Sequence, residues 1–138
     1  MLGDVHRAVR APGGREEFLE TAIVDDDPSV CRALRRLLAS AGIEAATFPS
    51  AAAFLAAGRP DDAACLVLDI HLGGMNGFEL QEHLAAGGSR LPIIFITAHD
   101  DLRTRERARR SGAVAYLRKP FDEAALLEAI AQAVGRCP

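Results

Sequence analysis

"AACLVLDIHLGGMNGFEL", residues 63–80, decides how the rest of the chain is read. Its first six residues are apolar without alternation, and the seventh is Asp69. A short run of this kind fits a strand buried on both faces, as in a parallel sheet. "IHLGGMNG" (70–77) reads as a loop by its glycines. "FELQEHLAA" (78–86) is helical, and "GGSR" closes it. Strand, acid, loop and helix in that order form one unit of an α/β fold.

The same unit recurs on either side. "TAIVD" (21–25) is a strand ending in acid. The following stretch places Val30, Leu34, Leu37, Leu38 and Ala41 on one helical stripe. Asp27 suits its N-cap, Pro28 its first position and Gly42 its stop. "IEAATF" (43–48) is a weaker strand, and Ser50 can cap the short helix "AAAFLAAG". "LPIIFIT" (91–97) is another buried strand, residues 101–111 a helix, and "AVAYLR" (113–118) a strand. "DEAALLEAIAQAV" (122–134) is a final amphipathic helix with Asp122 near its cap. Five strands alternating with five helices, joined by right-handed crossovers, give an open doubly wound sheet. The domain is expected over residues 21–134, with 1–20 a loose leader and 135–138 a tail.

In such a sheet, ligands bind beyond the carboxyl ends of the strands. The polar residues that end the apolar runs therefore matter. Asp25 and Asp26, Asp69, Thr97 and Lys119 all fall there. Acids before glycine or proline also serve as plain turn residues, and Asp27 is read that way. Three close carboxylates repel one another and call for a cation, and oxygen-only ligands suit Mg²⁺. Lys119 is the only lysine beside fifteen arginines. It supplies a compact point charge rather than a planar fork. A carboxylate nucleophile, Mg²⁺, an ammonium and a hydroxyl together make a site that can accept a phosphoryl group.

"IVDDDPSV", "CLVLDIHLGGMNGFEL", "IIFITAHDD" and "GAVAYLRKPF" resemble the characteristic segments of response-regulator receiver domains of two-component signalling. The similarity runs from about residue 21 to 134 and is greatest to the FixJ-like branch, whose receivers precede LuxR-type helix-turn-helix domains. The resemblance implies a flavodoxin-like five-stranded parallel sheet in order 2-1-3-4-5. It makes Asp69 the phosphoacceptor and Asp26 a direct Mg²⁺ ligand, with Asp25 acting mainly through water and the His71 backbone carbonyl as a further ligand. It also implies that Thr97 moves toward the phosphoryl group, that Lys119 pairs with it, and that Tyr116 swings inward. Ala98 would leave the phosphoryl pocket open, and Lys119–Pro120 would be cis. The implied partners are a histidine kinase or phosphotransfer protein, and a homodimer or effector domain meeting the fourth helix, fifth strand and fifth helix.

Two features depart from that pattern. Gly73 and Gly74 stand where proline and a polar residue are usual. The fourth helix, "DLRTRERARRS", carries five arginines and only Leu102 and Ala108 as packing candidates, with Asp101–Arg105 and Glu106–Arg110 at ion-pair spacing. Its charge fits either a solvated self-paired helix or a face for an acidic partner. His71 reads as an exposed loop residue or as a side chain leaning over Asp69.

Composition narrows the alternatives. The net charge of −3 and pI near 5.8 give no general nucleic-acid surface. No apolar run approaches the roughly 18–20 residues of a membrane span, and no signal-peptide core opens the chain. A cytoplasmic signalling domain, not an enzyme with turnover, is expected. Cys31, Cys65 and Cys137 form no metal or disulfide pattern. The rival readings are a phosphate-independent interaction module of the same fold and a hydrolase with an aspartyl-phosphate intermediate. The hydrolase normally has an acid two residues past its nucleophile, where this chain has His71.

Overall fold

Side chains alternate across each strand, and that alternation divides the core. The computed structural model describes residues 8–10, 16–18, 20–58 and 62–135. Its elements run β1 (Ala8–Arg10), β2 (Glu16–Phe18), β3 (Glu20–Val24), α1 (Pro28–Ser40), β4 (Ala45–Phe48), α2 (Ala51–Ala56), β5 (Ala63–Asp69), α3 (Gly77–Ala86), β6 (Ile93–Thr97), α4 (Leu102–Arg110), β7 (Ala115–Arg118) and α5 (Glu123–Gly135). The order β4-β3-β5-β6-β7, parallel throughout, is the 2-1-3-4-5 order expected. β1 and β2 form a separate antiparallel pair within the stretch read as a loose leader. The rest of that stretch, and residues 136–138 of the expected tail, lie outside the described residues.

One core cluster takes Ala22 and Val24 of β3, Leu66 and Leu68 of β5 and Phe95 of β6 against Phe54 of α2 and Phe78, Leu80 and Leu84 of α3. The other takes Ile23, Cys65, Val67, Ile94 and Ile96 from the intervening positions against α1 and α5. The unbroken apolar runs are thus two facing stripes, one per layer of helices. Cys65 is buried, as its place in the run suggested. Asp27 caps α1 by accepting from the Ser29 N–H, Pro28 opens the helix, and Ser50 caps α2. Among the described residues, no helix is long and apolar enough to cross a membrane.

The fourth helix departs from its sequence reading. Leu102, a packing candidate, is 81% exposed, so α4 buries Ala108 alone. The expected Asp101–Arg105 pair does not form, because Asp101 is the N-cap and its carboxylate accepts from the Thr104 N–H. Arg105 turns instead to Asp100, and Arg109 rather than Arg110 reaches Glu106. Arg107 bonds Glu82 and lies over the Phe78 ring, 4.3 Å from its centroid. Its aliphatic stem and planar cation supply packing that the short apolar stripe lacks.

Candidate phosphoacceptor site

Three strand ends bring the site together. β3 runs into Asp25 and Asp26, β5 ends at Asp69, and β6 ends at Thr97, on neighbouring parallel strands. Carboxylate oxygens of Asp25, Asp26 and Asp69 lie within 4.8 Å of one another. Asp25 and Asp69 are buried, whereas Asp26 is exposed at the mouth. The Lys119 ammonium reaches in from beyond β7. It donates to Asp25 Oδ2 at 2.8 Å and to Asp69 Oδ2 at 3.4 Å. The second oxygen of Asp25 accepts the Asp27 N–H at 2.9 Å, and that of Asp69 accepts the His71 N–H at 3.1 Å.

Burial raises the pKa of Asp69, and the Asp25 charge beside it adds to the rise; Lys119 and the His71 N–H oppose it. For Lys119, burial works against the charge, but the bond to Asp25 and the field of Asp69 outweigh it and hold the ammonium above its usual range. The site therefore holds more negative than positive charge in a buried place, the condition under which an added cation is favoured. All its donors at the acidic cluster are oxygens within reach of one another, which fits Mg²⁺.

Thr97 is fully buried, and its Oγ1 accepts the His99 N–H at 2.9 Å. Ala98 is exposed beside it. The Lys119–Pro120 bond is cis, and the Lys119 N–H donates to the Thr97 carbonyl at 2.7 Å. Tyr116 pairs in register with Phe95, two residues before Thr97 meets Arg118. Its ring packs half-buried on the core, and its hydroxyl donates to Asp100 at 2.8 Å.

Three contributors were not apparent in the sequence. Gly77 opens α3, and a Cβ there would lie 2.7 Å from the Asp69 carbonyl oxygen and 2.8 Å from Ile70 Cα. Only glycine lets α3 come this close to the end of β5. The "MNG" that reads as a turn is therefore a close-packing position. The rings of His71 and His99 meet edge to face at the mouth, centroids 4.7 Å apart. Asp100 accepts from both Tyr116 and Arg105. None of these has a local sequence signal, since each depends on contact between elements. The glycine loop does show one: Gly74 has φ +76°, where other residues are strained.

Residues 21–131 match the response regulator receiver domain family. The chain belongs to that family. It is 42% identical over 130 residues to nodulation protein W of Bradyrhizobium diazoefficiens, covering 92% of this chain and 57% of that protein. It is 40% identical over 120 residues to the transcriptional regulatory protein FixJ of Azorhizobium caulinodans, covering 87% of this chain and 57% of that one. The receiver thus spans little more than half the length of these curated relatives. The solved structure of FixJ-N superposes with a TM-score of 0.79 at 32% identity, covering 88% of this receiver and 98% of that chain. As a receiver, the chain is a phosphoacceptor signalling domain of a two-component system rather than an enzyme in the ordinary sense.

Proposed function

We propose that Asp69 takes a phosphoryl group from a phosphohistidine of a histidine kinase or phosphotransfer protein, and that the resulting phosphoprotein changes shape at Thr97 and Tyr116. The observation that carries this reading is the Lys119 ammonium held between Asp25 and Asp69 at the junction of the strand ends. Asp26, Asp69 and the His71 carbonyl would hold Mg²⁺, with Asp25 acting through water. When bound, the ion supplies positive charge that offsets the carboxylates and the oxygens of an incoming phosphoryl group.

The transfer proceeds from an Asp69 carboxylate oxygen. It attacks phosphorus, a P–O bond forms, and the P–N bond to the donor imidazole breaks. The imidazole nitrogen keeps the electron pair and takes up a proton. Lys119 moves its donor from Asp25 to a phosphoryl oxygen, and its rounded charge needs no planar alignment to do so. Thr97 donates a hydrogen bond from its hydroxyl to another phosphoryl oxygen and shifts away from the His99 N–H. The exposed methyl of Ala98 leaves room for the group. Water attack on phosphorus later restores the carboxylate and releases phosphate.

The wider surroundings favour acceptance from a protein donor over turnover of an enclosed substrate. Two clefts of about 510 Å³, one at the amino ends of β6 and β7 and the other between α4 and β7, are lined by none of Asp25, Asp26, Asp69, Thr97 and Lys119. A smaller cleft of about 230 Å³ is lined by Asp25 and Asp26 but not by Asp69, Thr97 or Lys119. The names of the relatives lead us to propose control of transcription as the output, exerted through a partner copy or an effector domain at the face made by α4, β7 and α5. The cytoplasm, where a kinase would meet it, is the proposed location.

Acetyl phosphate with Mg²⁺ should add one phosphoryl group to the chain by intact mass, and none to Asp69→Asn. Equal addition in the variant would remove Asp69 from the role. Steady release of phosphate from small esters would favour the hydrolase.

A further inference from the structure

The Asp100 carboxylate joins two elements that the proposed switch must separate. One oxygen accepts from the Tyr116 hydroxyl on β7 at 2.8 Å, and the other accepts from Arg105 on α4 at 2.5 Å. The Asp100 side chain is only 8% exposed. It stands three residues beyond Thr97, and the His99 N–H between them is bonded to the Thr97 hydroxyl. A pull on Thr97 is therefore felt along three residues of backbone by a carboxylate that is already shared.

We propose that Asp100 is a positioning residue that latches Tyr116 in its resting pose and ties that pose to α4 through Arg105. This rests on the phosphoacceptor reading and adds to it a residue that sets how readily the switch fires. When Thr97 turns to a phosphoryl oxygen it gives up the His99 N–H, the loop shifts, and the carboxylate cannot follow both partners. The phenol is freed to move inward, and Arg105 is freed with it. The helix released in this way buries only Ala108 and is then held mainly by Arg107 on Glu82 and the Phe78 ring. At physiological pH protons do not open the latch, since the bonds from Arg105 and then Tyr116 hold the Asp100 carboxyl below its ordinary range. The Tyr116 phenol is pushed up to about 12, by burial first and then by Asp100, so it remains a donor at physiological pH. Arg105 stays charged throughout.

Tyr116 is the only tyrosine, so fluorotyrosine labelling reports its pose alone by ¹⁹F NMR. Without phosphoryl donor, Asp100→Ala should raise the inward population roughly two- to tenfold, the worth of one hydrogen bond. The beryllofluoride concentration needed for half-saturation, with Mg²⁺ present, should fall by the same factor, because a ligand that selects the inward state gains what the latch withheld. Tyr116→Phe removes the phenol bond from the other side. In a double-variant cycle on half-saturation, the two changes should be non-additive. Unchanged populations in Asp100→Ala, or additive effects in the cycle, would overturn the latch. Arg105→Ala leaves the phenol bond in place and should raise the inward population less than Asp100→Ala. An equal rise would assign the effect to loosening of α4 and overturn the proposal. A wild-type chain whose label ignores saturating beryllofluoride would defeat the switch reading itself, which the Asp100 variants alone do not.

Discussion

Lys119 stands nearer to Asp25 than to Asp69, 2.8 Å against 3.4 Å, so its ammonium rests on the acid other than the proposed phosphoacceptor. Charge-assisted contacts of this kind are worth roughly 1.5–3 kcal/mol. Arginine keeps the charge but spreads it over a longer, flat fork. Lys119→Arg should keep Mg²⁺ binding and lower the fraction of fully phosphorylated chain in the inward Tyr116 pose about tenfold, read by NMR. Equal fractions would mean the point charge is immaterial. Gly77 makes a second case. An alanine there would press its methyl into the backbone of Asp69 and Ile70. Gly77→Ala should destabilise the fold by about 1–3 kcal/mol in urea unfolding, and slow phosphorylation by displacing Asp69. An unaltered midpoint would show that α3 shifts freely.

Among the five helices, α4 buries the fewest residues. α1 buries Cys31, Leu34 and Leu38, and α5 buries Leu126, Ala129, Ile130 and Ala133, against Ala108 alone for α4. Three of its arginines find acids, but Arg107–Glu82 and Arg109–Glu106 are exposed on both sides, where pairs add little, and in the third pair only the Asp100 side chain is covered. Amide exchange in the unphosphorylated chain should therefore be faster in α4 than in α1 or α5. Equal protection in all three would contradict the account. Slower exchange in α4 with beryllofluoride would indicate a new contact there. The charge of this helix was plain in the sequence. Its pairing was not, because a capping role for Asp101 removes it from the pair its spacing suggested.

Across the whole molecule, the site opposes the stability of the fold. Burial, and then the charge of Asp25, favour the protonated form of Asp69, so its ionisation costs folding free energy. Its folded pKa lies above the unfolded one, so the cost is absent below the ordinary aspartate range. It grows as pH rises through the unfolded and then the folded value. Asp69→Asn removes the cost and leaves Lys119 its bond to Asp25. In metal-free buffer at neutral pH, the variant should gain roughly 0.5–2 kcal/mol over the natural chain, as neutralised functional sites often do. The gap should close on acidification below about pH 4. Mg²⁺ should raise the melting temperature of the natural chain more than that of the variant, since it binds only the folded cluster. A variant less stable than the natural chain at neutral pH would refute the sign.

The sequence by itself determined the five strands and five helices, the parallel doubly wound sheet, and the acids, hydroxyl and lysine at its carboxyl edge. These follow from period, polarity and the placement of caps, all of which are local along the chain. Three strands came out two residues shorter at their start than read, Ala45–Phe48, Ile93–Thr97 and Ala115–Arg118, because an apolar run does not mark where ladder pairing begins. Only the tertiary structure decided that Gly77 must lack a side chain, that His71 meets His99, and that Asp100 serves Tyr116 and Arg105 together. Each is a contact between residues on different elements. Spacing along one element cannot specify it, because the distance is set by how strands, loops and helices pack.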